Sequence, residues 1–103
     1  MASDKRRVPL ASSLHALLRT ASERLNVSML DLSKQVLQSA LANPSAWESQ
    51  ALPSDTDDRT TIALDAEQKI RFKKLCYELD MTFADGLDRA FAHAAASWLQ
   101  LDS

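Results

Sequence analysis

Glycine and cysteine are nearly missing from this chain, each occurring once in 103 residues. A single thiol, Cys76, excludes an internal disulfide framework and any multi-thiolate metal site, and it suits a reducing compartment. With one Gly, three Pro and few β-branched runs, the turns that a sandwich or barrel would need are not supplied. Long apolar runs are lacking too, the longest being a handful of residues against the roughly 20 that cross a bilayer. The opening Met1-Ala2-Ser3-Asp4-Lys5-Arg6-Arg7 is charged, with no long apolar stretch behind it, so it does not read as a secretory signal. A cytoplasmic protein with no membrane partner is expected. There is no Gly-rich phosphate loop, no His pair at metal spacing and no recognisable nucleophile with its base. Neither an enzyme nor a metal or cofactor site is therefore expected.

What the chain does contain favours helix: many Ala and Leu, 46% apolar and 25% charged residues, an ordinary globular balance. The net charge of −2 is unevenly spread. Residues 1–43 carry six Lys/Arg against three Asp/Glu, residues 44–58 four acids and no base, and residues 59–103 six bases against seven acids. Base is gathered at the N-terminus and acid in the middle.

Shifting the sequence against itself by 54 positions brings two units into gapless register. Val8 and Leu10 fall on Ile62 and Leu64, and Leu18, Ala21 and Leu25 on Phe72, Leu75 and Leu79. Asn26-Val27-Ser28 falls on Asp80-Met81-Thr82, and Asp31 on Asp85. Each unit opens with alternating residues, Lys5 to Leu10 and Arg59 to Leu64, a period of two that predicts a short half-buried strand. Such a strand cannot stand alone and must pair. By the alternation, Val8, Leu10, Ile62 and Leu64 face inward.

An amphipathic helix follows in each unit. Leu14, Leu17, Leu18, Ala21 and Leu25 form the first apolar stripe, and Ile70, Phe72, Leu75, Cys76 and Leu79 the second. Asp65 with Gln68 makes a capping box; in the first unit Ala11 holds the matching place, leaving Ser12 or Ser13 as substitute caps. After a short break, Ser28 with Asp31 and Thr82 with Asp85 start second helices. One runs through Leu32, Val36, Leu37, Ala40 and Leu41 to Asn43-Pro44; the other through Leu87, Ala90, Phe91, Ala94 and Ala95 to Trp98, read as a core plug. Lys73-Lys74 reads as a solvated face, His15 and His93 as isolated residues, and Cys76 as core. The intervening 44–58, with two prolines, three serines and four acids, reads as an extended linker that can span about 50 Å, with Trp47 and Leu52 fastening part of it to the surface.

Strand, helix, break and helix over about 38 residues resemble the ribbon-helix-helix DNA-binding family, of the Arc, MetJ and CopG type. The resemblance is carried by Arg7-Val8-Pro9-Leu10 with Ser28 eighteen positions beyond Leu10, and by Thr61-Ile62-Ala63-Leu64 with Thr82 at the same distance from Leu64. It implies a mainly α fold with a short antiparallel two-stranded ribbon above four helices. Two copies in one chain are similar to the tandem accessory proteins of conjugative plasmids. They imply a monomeric pseudo-dimer in which unit 1–43, linker 44–58 and unit 59–103 make one compact domain.

The expected partner is double-stranded DNA, with a ribbon narrow enough to enter the major groove. Lys5, Arg7 and Pro9 from one strand and Arg59, Thr61 and Ala63 from the other would face base edges. In the family, the second helix's N-terminus grips phosphate, which places Ser28, Met29, Thr82 and Phe83 there, with Arg6 adding charge. Pro9 fits a strand only where its nitrogen faces out of the ribbon. The implied roles are transcriptional repression or accessory work at a DNA-transfer origin, with higher assembly on DNA or a protein partner as extensions. An antitoxin-type regulator is the first alternative, although only the acidic linker is on hand to bind a toxin, the chain ending shortly after Trp98. A helical protein–protein interaction module without DNA binding is the second.

Overall fold

A computed structural model describes residues 7–54 and 57–100 of the chain. It is mainly helical: β1 (Arg7–Ala11), α1 (Ser12–Leu25), α2 (Met29–Ala42), a 3₁₀ turn (Pro44–Ala46), β2 (Arg59–Ala63), α3 (Ala66–Glu78) and α4 (Phe83–Gln100). β1 and β2 pair antiparallel as a two-stranded sheet, with Val8 opposite Ile62, Pro9 opposite Thr61 and Leu10 opposite Thr60. Pro9 is tolerated because hydrogen-bonded and open pairs alternate in such a ladder, so a residue of an open pair needs no donor.

The period-two pattern sets which way the ribbon faces. Val8, Leu10 and Ile62 are buried, and so is Leu64 just beyond β2, whereas Arg7, Pro9 and Thr61 are exposed; Thr60 departs from the alternation, being exposed with its hydroxyl 3.0 Å from that of Ser12. Beneath the ribbon, α1 lies chiefly against α4 and α2 against α3, so helix packing runs more between the two sequence copies than within them. One core results, joining Leu14 and Leu18 of α1, Val36 and Leu37 of α2, Phe72 of α3, and Leu87 and Phe91 of α4.

The breaks between helices match across the copies. Asn26 and Asp80 both adopt the left-handed conformation, with φ of 57° and 60°. Asn and Asp accept that region more readily than other non-glycine residues, because a short polar side chain bonds locally. The N–H groups of Val27 and Met81 then reach back to the carbonyls of Ser22 and Cys76, each at 3.0 Å. The caps repeat as well: Ser28 Oγ accepts from Asp31 N at 3.0 Å, and Thr82 Oγ1 from Asp85 N at 3.1 Å.

Six expectations need correction. Trp47 is not a surface fastener but a core residue: its ring lies 5.1 Å from that of Phe72, and its indole N–H donates to Ala40 O at 3.0 Å. The segment after α2 is accordingly not extended throughout, since it turns at Pro44–Ala46 to deliver Trp47 inward. Neither Ser12 nor Ser13 caps α1, whose N-cap is Ala11 without a side-chain bond. The Ser12 N–H donates instead to Asp58 O at 2.9 Å, main chain from the approach to β2 replacing a cap. Ile70 leaves its stripe for solvent, 70% exposed, because α3's buried stripe narrows to Phe72 and Cys76, and Leu25, the last residue of α1, is exposed too. Trp98 is only half-buried, at the edge of the core. The capping box at α3 is half formed: Asp65 accepts from Gln68 N at 3.1 Å, but the Gln68 amide crosses to Lys34 O at 3.0 Å.

Candidate nucleic-acid interface

The outer face of the ribbon is short and lightly furnished. Arg7 lies opposite Ala63, and Pro9 opposite Thr61. Arg7, Pro9 and Thr61 are exposed and Ala63 is half-buried. Arg7 has no ion-pair partner among the described residues. Lys5 and Arg6 lie outside the described residues.

Arg59 is the site residue whose placement departs from expectation. Its guanidinium bonds Asp88 of α4, with Nη2 at 2.9 Å from Oδ2 and Nη1 at 3.4 Å from Oδ1. Asp88 is wholly buried and also accepts the Ala11 N–H at 3.2 Å. One carboxylate thereby ties the end of β1 to the end of β2 and both to α4. A buried carboxylate needs such partners, since an unpaired charge in the core costs several kcal/mol. Arg59 therefore fastens the ribbon rather than presenting itself on the outer face. The sequence carried a signal for this, because Asp88 falls on the apolar stripe of α4 between Leu87 and Phe91.

Both second-helix N-termini are well formed. With Ser28 and Thr82 as caps, the third N–H of each helix is satisfied by its hydroxyl. The first two N–H groups, of Met29 and Leu30 and of Phe83 and Ala84, remain to face an anion. Each cap hydroxyl keeps its own proton to donate. The Met29 and Phe83 side chains turn the other way and pack against the core, Phe83 edge-on to Phe72 at 6.1 Å.

A small cavity of about 150 Å³ joins these parts in the first unit: Arg7, Thr61 and Ala63 of the ribbon line it together with Met29 and Leu30 of α2 and His15 of α1. The helix N-terminus and the outer-face arginine thus open onto one hollow. Ser33, fully buried, adds a hydroxyl without a partner to the same wall. The positions matching His15 and Ser33 in the second unit are Lys69 and Leu87, so the two ends of the ribbon differ in chemistry.

No group of three His, Cys, Asp or Glu among the described residues is placed to hold a metal ion, and no described helix is long and apolar enough to cross a membrane. Burial raises the Cys76 thiol to about 11, which keeps it protonated and unreactive at neutral pH.

No protein-family model matches the chain, and no curated protein or solved structure matches it.

Proposed function

We propose that this chain is a tandem ribbon-helix-helix protein that binds double-stranded DNA through its two-stranded ribbon. The observation that carries the reading is the strand register. The 54-residue offset equates Val8 with Ile62, and these two residues are paired in the ribbon. Exchanging the two copies therefore maps the ribbon onto itself, Arg7–Ala63 onto Pro9–Thr61, as in a two-fold dimer built within one chain. The cross-packing of α1 on α4 and α2 on α3, and the matched left-handed breaks and caps, obey the same exchange.

The mechanism follows from groove geometry. A two-stranded ribbon fits the major groove, and Arg7 is of the length and chemistry to bridge guanine O6 and N7. Thr61, its counterpart under the exchange, bonds a base edge or packs on a thymine methyl. The N-termini of α2 and α4 take backbone phosphates through free N–H groups. With Arg59 engaged by Asp88, base reading rests on Arg7 and Thr61, with Lys5 and Arg6 adding charge. Such a protein blocks a promoter as a repressor or shapes DNA at a transfer origin, and the sequence of the duplex it selects separates the two.

The test is a titration of labelled duplexes at two salt concentrations. Wild type should bind with a salt-sensitive affinity. Arg7→Ala should weaken specific binding by about 1–3 kcal/mol, roughly 5- to 150-fold. Folded protein that fails to bind at low salt would favour the interaction-module reading, for which the exposure of Ile70 (70%) and Tyr77 (86%) on α3 is the supporting observation.

A further inference from the structure

The C-terminal halves of α2 and α4 line a cleft of about 300 Å³, bounded by residues remote in sequence from the ribbon strands. Its floor is apolar, built from Val36, Ala40 and Ala90, with Trp47 closing the bottom and Trp98 forming one side. These are the only two tryptophans in the chain. The rim is polar, with Gln35, Ser39, Asn43, His93 and Ser97. No Lys, Arg, Asp or Glu lines the cleft, although a quarter of the chain is charged. Ala46 and Trp47, from the turn after α2, line the cleft as well.

We infer that this cleft is a binding site for a small, flat, uncharged ligand of one or two rings carrying hydrogen-bonding groups at its edge. Its volume is at the lower limit of small-molecule sites, which suits one or two rings. The apolar floor and the Trp98 ring favour a flat aromatic face over a branched aliphatic one. The amide, hydroxyl and imidazole groups of the rim supply both donors and acceptors for edge groups. A charged ligand would lose its hydration and find no Lys, Arg, Asp or Glu among the described lining residues, so the lining selects against it. The small residues Ala40, Ala90 and Ala94 keep the space open, whereas Trp47 has its own N–H satisfied by Ala40 O and stays as a fixed floor.

The full chain, labelled with ¹⁵N, gives two indole N–H signals, assigned by a Trp98→Phe variant. Titration with indole as the probe should shift both signals saturably, and indole-3-acetate should bind at least about tenfold more weakly because of its charge. Ala94→Leu, which fills the cleft, should abolish the shifts; Ser97→Tyr, at the exposed rim, serves the same purpose should Ala94→Leu not fold. The inference is overturned by the absence of saturable shifts, by equal binding of the carboxylate, or by shifts that persist in a folded cleft-filling variant. It is also overturned if the signals move with protein concentration alone, since a second copy would then be the occupant.

Discussion

Gly86, the single glycine, packs against α3 so tightly that a Cβ there would collide with Cys76 Sγ. Neither residue has room to yield within the core, so Gly86→Ala should destabilise the fold by about 1–3 kcal/mol, less up to about 1 kcal/mol regained in helix propensity. Urea unfolding checks this, and pairing the change with Cys76→Ala should restore stability through a coupling of about 1 kcal/mol or more. Purely additive effects would count against the contact. The same thiol makes a pH prediction. Its folded pKa is raised from 9.0 to about 11, so as pH rises through 9 the unfolded chain loses its proton first. Stability should therefore fall between pH 9 and 11 by up to about 1.4 kcal/mol per pH unit, and the decline should be shallower in Cys76→Ala. Neither effect was legible beforehand: the sequence marks Cys76 as core, but its meeting with Gly86 arises only from how α3 and α4 cross.

Elements were legible where a local pattern sufficed. The period-two strands, the two cap pairs at Ser28 and Thr82, and the breaks at Asn26 and Asp80 all depend on residues within a few positions of one another, and the structure has them at those places. What escaped depends on long-range partners. Trp47, in a Pro/Ser/acid-rich segment, gives no periodic sign of burial, yet it caps the core beside Phe72. Trp47→Ala should cost about 3–5 kcal/mol in a denaturation experiment, as for a core aromatic, whereas a surface residue would cost under about 0.5. Arg59 alternates correctly with Thr61 and Ala63, but Asp88, 29 positions away, draws its guanidinium off the outer face. Asp88→Asn should accordingly loosen the ribbon, costing about 3 kcal/mol and speeding hydrogen exchange at the Ala11 amide. Unchanged exchange there would show that the carboxylate does not fasten the strands.

For the whole molecule, the antiparallel pairing of β1 with β2 inside one chain covers the inner faces of both copies, and the Cα radius of gyration of 12.7 Å is that of a compact 103-residue chain. Sedimentation at micromolar concentration should therefore find a monomer; a dimer with exchanged strands would contradict the intrachain arrangement. The need for two strands to pair was readable from the repeat, but the register that centres the ribbon on Val8 and Ile62 was not. The candidate interface was readable only as far as alternation reaches, to Arg7, Pro9, Thr61 and Ala63, and not to the hollow that joins Arg7 with the α2 N-terminus. The most direct measurement is an amide chemical-shift map of the ¹⁵N-labelled chain titrated with a duplex it binds. The account predicts shifts concentrated at Arg7, Thr60, Thr61 and Ala63 and at the amides of Met29, Leu30, Phe83 and Ala84. Shifts gathered instead on α3 around Ile70 and Tyr77, with the ribbon unmoved, would contradict it.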